Sequence, residues 1–398
     1  MPKALRLLLV NDLTYSIIFH SSLFHSMAAT NIRPVRTRAD REMFIRFLWK
    51  IYEGNPYWVP PLLMDRRKLM DTRKNPFYQH ADAEFFLAER EGKMVGRVAA
   101  IVNHNHNKEH QENIGFFGFF ECVNDQTAAD ALFNAARAYL KSKGVVEMRG
   151  PANPSVNDEY GLLVDGFDRS PTILMTYNPP YYVTLLERYG FTKAKDLYAY
   201  LLTQETVYSE RLARANNMVK QRNRLSFRSV DMKNFKRDVE IIKQLYTAAW
   251  AKNWGAVPMT DAEVDAMAKD LKPIVVPDLV IFAEVQGKPI GFALSLPDIN
   301  IALKYNKKGR LIPGLIRLLL HKKEINFARI VVLGVLPEYV NTGAAGVLFY
   351  ETATRARELG YQYGEAGWVL EDNVRMVKAA EALNGTITKR YRIYALPI

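Results

Sequence analysis

The chain repeats itself, and that repetition limits its architecture more than any other feature of its 398 residues. Ala88-Glu89, Gly92-Lys93 and Gly96 return 195 positions later as Ala283-Glu284, Gly287-Lys288 and Gly291. Phe85-Phe86-Leu87 leads into the first set and Val280-Ile281-Phe282 into the second, so each reads as strand, glycine turn, strand. A second echo, displaced by 194 positions, matches Glu187, Thr192, Lys195 and Tyr200 to Glu381, Thr386, Lys389 and Tyr394. Two echoes of nearly equal offset imply two copies of one fold, as the length already suggests, since one core rarely organises so long a chain. The expected division is a leader over 1–30, a first domain over 31–203, a basic connecting helix over 204–224 and a second domain over 225–398.

Each copy presents the same element order. In the first it is strand 32–36, helix 40–52, the hairpin, strand 114–122, helix 128–143, strand 145–149 and helix 182–189. The second gives strand 226–230, helix 239–252, the hairpin, strand 329–336, helix 344–359, a further strand and helix 376–383. Strands that first meander and then alternate with helices predict a mixed α/β (α+β) class, each domain a central, mostly antiparallel sheet flanked by helices.

The second copy carries Val335-Leu336-Pro337-Glu338-Tyr339, then Val340-Asn341-Thr342-Gly343-Ala344-Ala345 at a helix start, and later Glu371-Asp372-Asn373 before the last helix. Small residues at a helix N-terminus let backbone N–H groups approach a pyrophosphate whose charge the helix dipole favours. In this order, the segment resembles the GNAT superfamily of acyl-CoA N-acyltransferases. The resemblance implies that acyl-CoA is the co-substrate, bound through Leu333 and Val335 at the strand end, through Asn341, Thr342, Gly343, Ala344 and Ala345, and through Asn373. Two departures stand out: Val340 occupies the usual Arg or Gln position, and Ala380 stands where many members carry a proton-donating Tyr. After Cys122 the first copy has Asn124-Asp125-Gln126-Thr127 in place of a glycine loop, which makes the second copy the better host for coenzyme A.

The first copy has its own motif, Gly150-Pro151-Ala152-Asn153-Pro154-Ser155-Val156-Asn157-Asp158-Glu159-Tyr160-Gly161, followed by Met175-Thr176-Tyr177-Asn178-Pro179-Pro180. Both segments resemble a bacterial subgroup of tandem GNAT proteins that includes the bacterial ceramide synthase type, which acylates a sphingoid amine. Clustered Asn, Asp and Glu either satisfy one another or wait for a ligand. An amine is protonated near neutrality, so a carboxylate that takes its proton makes it nucleophilic. Glu159 is the first candidate for that base, with Asp158 beside it and Glu371 as rival. Tyr177 or Tyr394 would protonate the leaving sulfur, and Asn153, Asn157 and Asn178 would hold the acceptor. An aminoacyl-tRNA-dependent transferase and a non-catalytic acyl-CoA sensor or scaffold are the alternatives.

A net charge of +12 favours anionic partners, with coenzyme phosphates, an acyl carrier protein and anionic lipid among them. The cations are dispersed and lack a recognition helix or aromatic platform, which disfavours nucleic acid. One cysteine, Cys122, fits a reducing, cytoplasmic setting. Lys3 and Arg6 precede Leu7-Leu8-Leu9-Val10, but Asn11 and Asp12 interrupt the run, so a signal peptide is not expected. His104, His106 and His110 share what reads as a loop without partnered carboxylates, and no metal is expected. The segment 304–329 sets the apolar run Leu311–Leu320 between basic flanks, the pattern of a peripheral contact at the inner face of a membrane or of a lid over a fatty chain.

Overall fold

The computed structural model describes residues 29–207, 209–250 and 253–398; the proposed leader lies mostly outside them. Among the described residues, thirteen strands form one sheet. From one edge it runs Asn31–Pro34, Ala81–Arg90, Lys93–Asn103, Ile114–Cys122 and Glu147–Gly150. It continues through Thr386–Pro397, Thr192–Thr203, Tyr363–Leu370, Phe327–Val335, Lys288–Pro297, Val280–Val285 and Leu225–Ser229, with Leu162–Asp165 paired to the side of Thr386–Pro397. All neighbours are antiparallel except two pairs, Ile114–Cys122 with Glu147–Gly150 and Phe327–Val335 with Tyr363–Leu370. The class is therefore mixed α/β with a mostly antiparallel sheet.

Both repeated hairpins form, and each carries a bulge at the same place, between Ala88 and Glu89 and between Ala283 and Glu284. The bulged glutamate has the same work in each copy. Arg33 bridges Glu89 and Asp40, while Arg228 bridges Glu284 and Asp238. Thr37 starts the helix Arg38–Ile51 with a capping box, and Asp40 closes it, its carboxyl held well below the usual range by the Thr37 backbone N–H and by Arg33.

The second echo marks an exchange. The last strand of the second copy, Thr386–Pro397, pairs with Glu147–Gly150 of the first, and the last strand of the first, Thr192–Thr203, pairs with Tyr363–Leu370 of the second. Side chains follow the backbone. Tyr394 is fully buried in the first half among Phe117, Phe133 and Leu186, and its hydroxyl donates to Glu187 (3.0 Å). Tyr200 packs with Phe349 and Ala380 of the second half, where burial and the charge of Glu381 push its hydroxyl pKa up. Lys389 is buried and donates to the carbonyls of Gly166 (3.2 Å) and Arg169 (2.6 Å), whereas Lys195 binds Asp372 (2.6 Å). Burial lowers the Lys389 pKa to about 8.

Helices cover both faces. Gln126–Ser142 and Tyr181–Tyr189 pack on the first half, and Ala344–Glu358 and Val374–Ala382 on the second. The opposite face of the second half receives Phe235–Trp250, through Leu245 and Trp250 against Phe282 and Phe292. Glu210–Asn223 forms the connecting helix, started by Ser209 and tied to Glu351 through Lys220 (2.6 Å). One expectation fails locally. His104–His110 is a helix, not a loop, and His106 does have a carboxylate partner in Glu112 (3.0 Å); Asn103 caps the helix by accepting from the His106 N–H, which a sequence of polar residues alone does not announce.

Candidate active site at the junction of the two halves

Each parallel pair of strands parts company after a few residues. In the second half, pairing runs from Phe327↔Tyr363 to Ile330↔Ala366 and stops, leaving Leu333 and Gly334 half-buried beyond it. In the first half it runs from Ile114↔Glu147 to Phe116↔Arg149 and stops as well, but there the gap is filled. The hairpin of Ala152–Asn153 with Glu159–Tyr160 folds into it. A Cβ on Gly118 would stand 1.7 Å from the Ala152 carbonyl, and the Asn153 amide oxygen accepts from the Phe119 N–H. Every residue of Ile114–Cys122 is buried as a result.

The helix that follows each gap shows the same contrast. Gln126–Ser142 is capped by Asp125, whose carboxylate accepts from the Ala128 N–H (3.0 Å) and pairs with Arg90 (2.5 Å). Arg90 holds that carboxyl well below its ordinary pKa, so a built-in anion already occupies the positive end of the helix. Ala344–Glu358 begins instead at Gly343, at φ 84°, with only the Thr342 hydroxyl turned toward the Ala344 N–H (3.2 Å). Gly343 is exposed, and nothing lies within 4 Å of where a Cβ of Gly346 would stand. An unclaimed helix start with room above it suits a pyrophosphate. Val219 of the connecting helix packs against Gly343, and Asn341 is reached by Arg375 (3.4 Å). Asn373 caps the last helix by accepting from Met376 N–H (3.3 Å), and Val335 and Ala344 are core residues.

The filling hairpin brings three carboxylates together. Glu159 is gripped by both terminal nitrogens of Arg66 and by the Asn153 amide (3.1 Å). Burial would raise its pKa, but Arg66 and these hydrogen bonds outweigh it and hold Glu159 below the usual value. Glu263 lies 3.2 Å from His80 and caps its own helix, and it too is held low despite burial. The Asp158 carboxylate accepts from Ser155 Oγ (2.7 Å) and has no ion pair to a described side chain. Burial, then the charges of Glu159 and Glu263, push it up to about 7. The residue as a whole is half-buried.

The same loop touches the second half. Asn157 accepts from Tyr246 Oη (2.8 Å) and donates to the Val257 carbonyl (3.0 Å). Tyr246 stacks on Trp250 at 5.0 Å, and Trp250 covers Gly334 on the parting strand, where a Cβ would lie 2.4 Å from its ring. The loop that carries Asp158 thus meets the second half through Asn157 on the face of Tyr246 and Trp250, while Gly343 lies on the face of Ala344–Glu358. No hydrogen bond or ion pair joins Asp158 or Glu159 to residues 341–345 among the described residues.

The other candidates sit elsewhere. Glu371 accepts from Lys193 (2.7 Å) and from the Asp196 N–H (3.0 Å), fastening the exchanged strand. Tyr394 is locked in the first-half core, three strands away from Phe327–Val335. Tyr177 donates to the Phe167 carbonyl (3.0 Å), and burial raises its pKa. Asn178 clasps Leu163 through both N–H and carbonyl (2.7 and 3.1 Å) and is 5% exposed, a brace and not a free ligand. Arg66, His80, Glu263, Tyr246 and Trp250 went unread in the sequence, because a cation 93 residues from its carboxylate leaves no local pattern.

No family model matches the chain. It is 34% identical over 375 residues to the bacterial ceramide synthase of Caulobacter vibrioides, covering 92% of this chain and 97% of that protein. It is 30% identical over 371 residues to Protein YghO of Escherichia coli, covering 91% and 94%. Among solved structures, a tandem GNAT protein from the clavulanic acid biosynthesis pathway superposes with a TM-score of 0.53 at 10% identity, over 92% of this chain and 98% of that one.

Proposed function

The chain belongs to the family of the bacterial ceramide synthase and Protein YghO, and on that premise we propose that it is an N-acyltransferase moving an acyl group from acyl-CoA to a long-chain amine of the sphingoid kind. The observation that carries the reading is the lone Asp158: of three clustered carboxylates, it is the one without an ion-pair partner among the described residues, and its neighbour Asn157 is bonded to Tyr246, which stacks on the Trp250 that covers Gly334. The coenzyme pyrophosphate would rest on the start of Ala344–Glu358, where Gly343 and Gly346 leave space, and the thioester would reach through the gap beside Leu333 and Gly334. The amine would arrive from the Tyr246 face. Asp158 takes a proton from the ammonium, the freed nitrogen forms a bond to the thioester carbon, the C–S bond breaks with its electron pair on sulfur, and the nitrogen's surplus proton passes to that thiolate, giving the amide and the coenzyme thiol. Backbone N–H groups of the parted strand would stabilise the oxyanion. Glu159 in this scheme positions Arg66 and Asn153 and does not titrate.

The test is thiol release from C2 to C18 acyl-CoAs, with a panel of amines that includes a sphingoid base and with products weighed by mass spectrometry. Amine-dependent release with a long-chain amide supports the proposal. Acyl-CoA binding without product across the panel replaces it with a sensor, a tRNA-dependent reaction or a carrier-protein donor.

A further inference from the structure

One helix is turned inside out relative to the rest of the molecule. Leu311–Leu320 exposes Ile312 (71%), Leu319 (75%) and Leu320 (67%), with Leu315 and Ile316 half bare between them. These positions form one broad stripe along the helix. Its opposite side is clamped. Gly314 is buried so tightly that a Cβ would lie 2.8 Å from the Asn306 amide and 3.0 Å from Leu62. Asn306, itself buried, donates to the Arg310 carbonyl (2.9 Å), and the Gly309 carbonyl accepts from Leu63 N–H (2.8 Å). The apolar stripe is therefore held outward by the fold.

Its surroundings are cationic. Lys307, Lys308 and Arg310 precede the helix and Lys322 and Lys323 follow it; of the acids nearby, Glu324 is engaged by His321 (2.6 Å) and Glu42 by Arg46 (3.2 Å) and Arg67 (2.5 Å). At the foot of the helix, Arg46, Trp49, Lys308 and Arg310 enclose a cavity of 160 Å³, in which Trp49 Nε1 donates to the Lys307 carbonyl (2.7 Å). Among the described residues neither Lys308 nor Arg310 has an ion-pair partner. Ten helical residues span roughly 15 Å, half the hydrocarbon thickness of a bilayer, so such a helix lies in the surface plane. No helix among the described residues is long and apolar enough to cross a membrane.

The geometry points to docking of this face on an anionic phospholipid bilayer: the aliphatic stripe enters the acyl boundary, and the basic cavity takes a lipid phosphate. The consequence is positional. Leu63, bonded to Gly309, opens the helix Leu63–Leu69, which carries Arg66 of the carboxylate cluster within its first turn. A bilayer held here sits next to the candidate site.

The experiment is flotation of the full-length protein with vesicles of phosphatidylcholine alone and of phosphatidylcholine with phosphatidylglycerol in equal parts. Binding is expected to the mixed vesicles, and to weaken about tenfold when Lys307→Glu and Lys308→Glu are combined. Leu319→Asp with Leu320→Asp abolishes it, while circular dichroism stays that of the wild type. Equal binding to both vesicle types, or none to the mixed ones, overturns the proposal. So does a dimer in light scattering that the leucine variant splits, because a second copy would then cover the stripe. These readouts do not depend on turnover, so they stand or fall apart from the acyl-transfer reading.

Discussion

The two halves share a sheet, a bulged hairpin and an Arg-Glu-Asp triad, yet they treat the gap between their parallel strands in opposite ways. The first fills its gap with the hairpin of Asn153 and Glu159 and closes its helix start with Asp125. The second leaves Gly334 half-buried and Gly343 bare. Duplication leaves one copy free to diverge, and the hairpin that fills the first gap also reaches across to the second half, where Asn157 binds Tyr246 and the Val257 carbonyl.

The comparison can be broken at four points. Asp158→Asn should lower kcat by about 100-fold or more, as loss of a general base does, with acyl-CoA affinity kept. Wild-type activity should rise with pH through about 7, and the variant should lose that limb; a pH–rate profile decides it. Because the folded pKa of Asp158 lies above the ordinary carboxylate value of about 4, its stabilising contribution is complete below that value and is lost as pH rises through about 7. Thermal melts should therefore find the variant the more stable protein at pH 8 and lose that advantage in acid. Gly118→Ala should reach next deepest, costing about 1–3 kcal/mol in urea unfolding as its Cβ drives the hairpin from the first gap. Gly346→Glu should leave stability intact and weaken acyl-CoA about tenfold by placing an anion over the open helix start, measurable by calorimetry. Asp125→Ala is the matched change in the first half and should do the reverse. It should cost about 1 kcal/mol of stability and leave acyl-CoA affinity unchanged. If the two helix starts respond alike, the division of labour fails.

The duplication was legible because hairpins are local: Gly92 and Gly287 must turn the chain whatever surrounds them. The exchange was not. Tyr200 and Tyr394 carry the same pattern, and periodicity says which face of a strand is buried but not against which copy it lies. The helix start at Gly343 could be read from its small residues. Asp158 could be ranked only once Arg66 and His80 were seen to claim its two neighbours, and neither partner is close in sequence. Glu371 and Tyr394 looked reactive as isolated letters, but Lys193 and Glu187 hold them in structural bonds.

The exchanged strands also bear on how the protein is made. The first half cannot close its sheet beside Glu147–Gly150 until the ribosome has delivered Thr386–Pro397, so it must wait, incomplete, through synthesis of the whole second half. Its Phe117, Phe133 and Leu186 stay without Tyr394 during that interval, an apolar surface that the finished chain covers. A truncation near the C-terminal strand would be felt first in the N-terminal half.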